Sequence, residues 1–202
     1  MNIVKSPLWL RLLLPKLTWN RNRKEKHIYL TFDDGPIPDV TPQVLNILKK
    51  YNIQATFFCV GENIVKHPEI FEQVKLQGHR VGNHTYNHLK GWQTPLATYL
   101  ENVEKCQQLT QTNLFRPPYG KCTLPQFKKL RDTYEIIMWD VITYDFDHKL
   151  SPEACYQNAI QHVTNGSIVV FHDNIKAVPR LLYALPKAID YWLDKGYEFK
   201  LL

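Results

Sequence analysis

Two adjacent carboxylates, Asp33 and Asp34, end the stretch Ile28-Tyr-Leu-Thr-Phe-Asp-Asp-Gly-Pro36. Carboxylates this close repel, so both stay ionised only beside a compensating cation, and a divalent metal is the simplest one. Farther along, His84-Thr-Tyr-Asn-His88 places two imidazoles at i and i+4, the spacing that puts side chains on one face of a helical turn. Two histidines and one carboxylate with a coordination position left open make a catalytic zinc-type ligand set. Each fragment also has a plainer account: an Asp-Gly turn that caps a strand, and an H-x-x-x-H that lies on a surface. Asn83 and Asn87 are ill-suited to a core and favour the metal.

Arg116-Pro-Pro-Tyr-Gly120 is a rigid turn with one permanent cation. Prolines have no N–H to give, so free backbone donors begin at Tyr119. On the chemical reading, Arg116 orients a carboxylate and the Tyr119 N–H faces a developing oxyanion. On the structural one, Arg116 merely braces the turn. His172 ends the apolar run Ile168-Val-Val-Phe171, where a lone histidine is usually part of a core. A hydrogen bond to Asp145 would favour its imidazolium and suit it to act as an acid near neutral pH.

Strand and helix patterns must position these groups. Residues 28–33, 55–60, 80–82, 114–116, 136–141, 167–171 and 197–202 read as strands. Between them, Thr41-Pro42, Thr94-Pro95 and Ser151-Pro152 open helices as a cap followed by proline in the first turn. Six or seven alternations imply parallel pairing through helical crossovers. A closed barrel and an open doubly wound sheet both fit. Asp33, Asp34, Arg116, Asp140, Asp145 and His172 fall at or just beyond the C-terminal ends of strands, which in a barrel converge on one mouth. That placement favours the barrel.

The net charge of +6 is unevenly spread. Residues 1–26 hold seven Lys and Arg against Glu25 alone, leaving the rest with equal numbers of bases and acids. A neutral body argues against extensive contact with nucleic acid. The leader's apolar stretch, broken by Arg11, Pro15 and Lys16, is far short of the roughly 20 residues of a membrane span. Without a small-residue cleavage site, it does not read as a signal peptide. A cytoplasmic or membrane-peripheral location is expected. Either the leader lies on an acidic membrane surface, or Trp9, Leu13 and Trp19 cover one end of the domain while the bases stay in water. Cys59, Cys106, Cys122 and Cys155 have no paired spacing and read as isolated thiols.

Taken in order, Thr31-Phe-Asp-Asp-Gly35, His84-Thr-x-x-His88, Arg116-Pro-Pro-Tyr-Gly120, residues 139–146 and Val169-x-x-His172 resemble the five motifs of polysaccharide deacetylases, the NodB-homology carbohydrate esterases of family four. The resemblance covers residues 27–202, leaving 1–26 as a basic, Trp/Leu-rich extension. It implies an α/β fold, a distorted (β/α) barrel of about seven parallel strands. It also implies a divalent metal, zinc or else cobalt, and removal of N-acetyl groups from an amino-sugar polysaccharide or oligosaccharide. By motif, it makes Asp33 the general base and Asp34, His84 and His88 the metal ligands. Arg116 would steer Asp33, Tyr119 would supply an oxyanion donor, and His172 with Asp145 would form the general acid. The fourth motif usually reads Asp-x-x-Asp-Trp, whereas Ile142 and Phe146 stand here at its first and last positions. Those changes reshape the wall around the acetyl group and leave open an O-acetyl esterase, another C–N hydrolase, or a carbohydrate-binding relative with little turnover.

Overall fold

Strands buried on both faces lose the in–out alternation of a half-exposed sheet and become continuous apolar runs. The computed structural model, which describes residues 3–202, has four longer strands, β1 (His27–Asp33), β2 (Thr56–Cys59), β3 (Arg80–Asn83) and, late in the chain, β7 (Ser167–His172), of which β2 and β7 are runs of this kind. Met1 and Asn2 of the basic extension lie outside the described residues. Four two-residue strands complete the set: β4 (Leu114–Phe115), β5 (Glu135–Ile136), β6 (Val141–Ile142) and β8 (Glu198–Phe199). The first helices are α1 (Leu8–Leu13), α2 (Thr41–Lys50), α3 (Gly61–Lys66) and α4 (Pro68–Leu76). They are followed by α5 (Leu96–Thr110), α6 (Leu124–Leu130), α7 (Pro152–Gln161) and α8 (Val178–Asp194).

Seven strands pair in parallel in the order β5-β4-β3-β2-β1-β7-β6, and β8 pairs with the start of β1. This is the expected distorted barrel. Phe32 of β1 stacks on Phe57 of β2 at 4.9 Å and on Phe171 of β7 at 6.2 Å. Each fully buried ring of this kind is worth about 1.5–3 kcal/mol in removed apolar surface. On α8, Leu181, Leu185, Ile189 and Trp192 recur on one face and are fully buried.

The expected strand over 136–141 is divided, for a physical reason. Its first part, β5, pairs with β4, and its second, β6, with β7, so one extended segment reaches across the gap between the two ends of the sheet. The N-terminal leader supplies backbone partners along that seam. Thr18 exchanges bonds with Ile136 and Met138 at 2.9 and 2.7 Å, the Ser6 N–H donates to Asp140 O at 3.0 Å, and the Ile142 N–H donates to Val4 O at 2.9 Å. Asp140 is therefore not at the mouth. It is fully buried beside the start of β7, accepts from Ser167 Oγ at 2.6 Å, and pairs with Arg11 and Arg23. Those two bases turn inward rather than into water because the buried carboxylate requires a counter-charge.

Candidate active site

β1 brings Asp33 to the open end of the barrel in register with His172 of the neighbouring β7. Asp33 is nearly buried and accepts from Arg116 Nη1 at 2.6 Å. Arg116, just after β4, is fully buried. It also donates to Thr31 Oγ1, Ile137 O and Met138 O, and its guanidinium lies 4.1 Å from the Phe58 ring centroid. Burial presses its pKa down, and the Asp33 charge opposes that pressure. A guanidinium held by four acceptors fixes the direction of the carboxylate it touches.

Asp34 lies beyond the end of β1 with φ +88°, so its side-chain direction is set by the loop and not by strand alternation. The two histidines meet it from a loop after β3, not from the helical turn expected of their spacing. Thr85 and His88 have φ values of +64° and +55°, which no α-helix accommodates. His88 Nε2 lies 3.2 Å and His84 Nε2 3.6 Å from Asp34 Oδ1. That oxygen is buried without a hydrogen bond, whereas Oδ2 accepts from Asn174 Nδ2 at 2.5 Å. His84 Nδ1 is 2.7 Å from the carbonyl of Arg116, which can only accept, so Nδ1 carries the proton and Nε2 the lone pair.

Burial pushes His84 down to about 4, leaving it neutral at physiological pH. Burial alone would raise Asp34, but His88, His172 and His84 outweigh it and hold the carboxyl well below its usual range. With His84 neutral, that pull falls to the His88 contact and the His172 charge. An ionised carboxylate with an unpartnered buried oxygen, facing imidazole nitrogens within 4.8 Å of one another, has the donor chemistry of a divalent-cation site.

His172 Nδ1 lies 2.8 Å from Asp145 Oδ1, and the His172 backbone N–H donates to Asp145 Oδ2 at 2.7 Å. Burial would depress this imidazole, yet Asp145, followed by Asp34 and Asp33, raises it to about 9. The Phe146 ring packs edge-on against His172 with centroids 4.8 Å apart. Tyr119 has φ +60° and is half exposed, with its ring 4.8 Å from that of His88.

These groups surround a cavity of about 760 Å³ lined by Asp33, Asp34, His84, His88, Tyr119 and His172. Trp139, Ile142 and Phe146 form its apolar wall. Arg116 and Asp145 stand behind Asp33 and His172 rather than on the cavity surface. A larger hollow of about 950 Å³, between Lys49 and Lys200, contains none of these residues.

Sequence reasoning missed three contributors. Asn174 fixes one oxygen of Asp34. Asp173, fully buried, accepts from the Gly35 N–H at 3.0 Å and Thr41 Oγ1 at 2.6 Å. Thr41 therefore braces the loop instead of capping α2, whose cap position is Val40. The run His172-Asp173-Asn174 at the end of β7 was the available signal, since polar residues that follow an apolar strand face the barrel mouth.

A family model described as polysaccharide deacetylase matches residues 20–133. A peptidoglycan-N-acetylglucosamine deacetylase of Bacillus cereus is 33% identical over 193 residues, covering 91% of this chain and 89% of that protein. The peptidoglycan-N-acetylmuramic acid deacetylase PdaA of Bacillus subtilis is 31% identical over 196 residues, covering 89% of this chain and 71% of its own. Among solved structures, the Bc1960 peptidoglycan N-acetylglucosamine deacetylase, in complex with 4-naphthalen-1-yl-N-oxidanyl-benzamide, superposes with a TM-score of 0.90 at 28% identity, covering 98% of this chain and 95% of the other. Agreement along nearly the whole chain, in sequence as well as in three dimensions, means that this chain belongs to the polysaccharide deacetylase family.

Proposed function

We propose that the chain hydrolyses the N-acetyl group of an amino sugar in a polysaccharide or oligosaccharide and releases acetate. The observation that carries this reading is the buried, unpartnered Asp34 Oδ1 beside His84 and His88, with Asp33–Arg116 and His172–Asp145 on the same cavity. Two imidazoles and a carboxylate suit zinc, and cobalt accepts the same donors. When bound, such a cation supplies Lewis acidity to a carbonyl and to water. Asp33, its direction fixed by Arg116, takes the proton of the attacking water. The Tyr119 N–H donates to the oxygen that gains charge, a contact worth about 3–4 kcal/mol in comparable sites. His172, kept cationic by Asp145, gives its proton to the nitrogen, because an amide nitrogen leaves as an amine and not as an anion.

The relatives named for peptidoglycan make its N-acetylglucosamine the first substrate to offer. Acetate release is to be measured on peptidoglycan, chitin oligomers, acetylated xylan and small N-acetyl sugars, with and without added zinc or cobalt. Metal-stimulated release from the N-acetylated substrates supports the proposal. Release from xylan alone transfers the activity to O-acetyl esters. Bound metal with no acetate from any substrate leaves a carbohydrate-binding role.

A further inference from the structure

The leader builds a second hollow beside the catalytic one. It is a groove of about 580 Å³ between α1 and the Tyr119 edge of the barrel mouth. Tyr119, Gly120, Trp139 and Tyr144 line both spaces, so the groove borders the cleft. Its remaining walls are largely apolar, with Trp9, Leu10, Leu14, Trp92, Leu124 and Met138 prominent.

Three of the polar side chains that face it are already partnered. Ser6 Oγ donates to Trp139 O, Trp19 Nε1 to Leu14 O, and Tyr144 OH to Ile3 O. A hydrocarbon chain asks for no hydrogen-bond partner and suits this largely apolar lining. No acidic side chain lines the groove among the described residues. Two cations stand over its aromatic rim instead, Lys121 over Trp92 at 4.8 Å and Lys90 over Tyr119 at 5.6 Å. The apolar surface continues outward on α1, where Leu8, Trp9, Leu12 and Leu13 are 65–71% exposed. Among the described residues, no helix is long and apolar enough to cross a membrane. A short apolar helix with basic neighbours is suited to rest in the interface of an anionic bilayer.

We propose that the groove holds the hydrocarbon chain of a membrane lipid whose head group carries the N-acetylated amino sugar. On this proposal α1 rests in the bilayer surface and the sugar enters the cleft past Tyr119 and Trp139. The sugar part rests on the deacetylase reading; the lipid part rests on the groove alone. In the reaction the water oxygen joins the acetyl carbon, the C–N bond breaks and the nitrogen gains a proton. The amine stays on the lipid and acetate leaves.

The test uses the full chain and a Trp9→Glu/Leu124→Glu variant. Both side chains line the groove, are at least 65% exposed and lie outside the catalytic cavity. Co-sedimentation is measured with mixed phosphatidylcholine–phosphatidylglycerol vesicles. Acetate release is measured on N-acetylglucosamine carried by a polyisoprenyl diphosphate in those vesicles and on a soluble chitin oligomer. The native chain is expected to sediment and the variant to remain in the supernatant. The variant should lose about tenfold or more on the lipid-borne sugar, the scale expected when two large apolar contacts become charged, and keep its rate on the soluble oligomer. The proposal is overturned if the native chain does not sediment or the variant sediments equally. A parallel loss on the soluble oligomer also overturns it and makes the groove a sugar subsite. If neither substrate yields acetate, the deacetylase reading fails while sedimentation still decides the groove.

Discussion

Asp33 and Asp34 are neighbours in the chain, yet the barrel gives them different partners. Asp33 faces a guanidinium with no proton to lose, and Asp34 faces two imidazoles with an oxygen left over. Asp33→Asn should therefore keep its divalent metal and lose at least about a hundredfold in acetate release, the low end for removal of a general base. Elemental analysis beside the rate measurement checks both halves, and loss of the metal would mean that the two roles are reversed. His172 gives a prediction of a different kind, in the metal-free protein. Its folded-state pKa of about 9 lies above its ordinary 6.5. The proton-linked stabilisation is thus complete below 6.5 and disappears as the pH rises through about 9. That rise corresponds to about 3 kcal/mol. Asp145→Asn should cost about that much in urea unfolding near neutral pH, and its deficit should narrow in alkali. A deficit unchanged by pH would show that Asp145 works only as a packing group.

At the level of elements, the strands that deliver these residues were legible because their burial leaves a continuous apolar signature, as in Ile168-Val-Val-Phe171. Proline within the first turn marked the starts of α2 and α7 equally well, whereas before α5 Pro95 is itself the cap and the helix starts one residue later than Thr94-Pro95 implied. The loops were not legible. Asp34, Thr85, His88 and Tyr119 adopt positive φ without being glycine, and nothing in their residue type announces it. Such conformations persist only where surrounding structure enforces them. The loop after β1 has an identifiable brace in Asp173, which accepts from Gly35 and from Thr41 at the head of α2. A Cβ on Gly35 would lie 2.0 Å from Asp173 Oδ2, so the loop and the brace fit only with glycine there. Burial first, and then the charge of Asp34, raises Asp173 to about 8, so at neutral pH it is largely an uncharged acid. Asp173→Asn, which keeps an acceptor for the Gly35 N–H, should retain most of the zinc affinity. Asp173→Ala should lose about 10–100-fold, the usual cost of removing support behind a ligand. Competition against a chelator measures both variants, and equal affinities would remove Asp173 from the site.

For the whole molecule, the consequential pairings are the long-range ones, which leave no local pattern. The leader runs along the segment that carries Trp139, Ile142 and Tyr144, bonding from Ile3 O to Tyr144 OH at one end and from Thr18 to Ile136 at the other. Its charge excess, read from sequence as facing either an acidic membrane or water, is partly paired within the fold: Arg11 and Arg23 with buried Asp140, and Arg21 with half-buried Glu135. Removing one side of a buried pair leaves an uncompensated charge and costs about 3–5 kcal/mol. Arg11→Met/Arg23→Met should cost toward the lower figure, because the Arg23 side chain is 36% exposed and already shares its charge with water. Adding Asp140→Asn to that pair should restore part of the loss, since the stranded charge goes with it. The acid limb fixes the sign. Burial pushes Asp140 up, but Arg23, Ser167 and Arg11 together hold it below its ordinary 3.8. Its stabilisation is therefore present above 3.8 and lost as the pH falls through the folded value. The deficit of the double arginine variant, followed by urea unfolding, should be widest near neutral pH and narrow below 3.8. A deficit that persists undiminished in acid would mean that the leader closes the barrel through its backbone bonds alone.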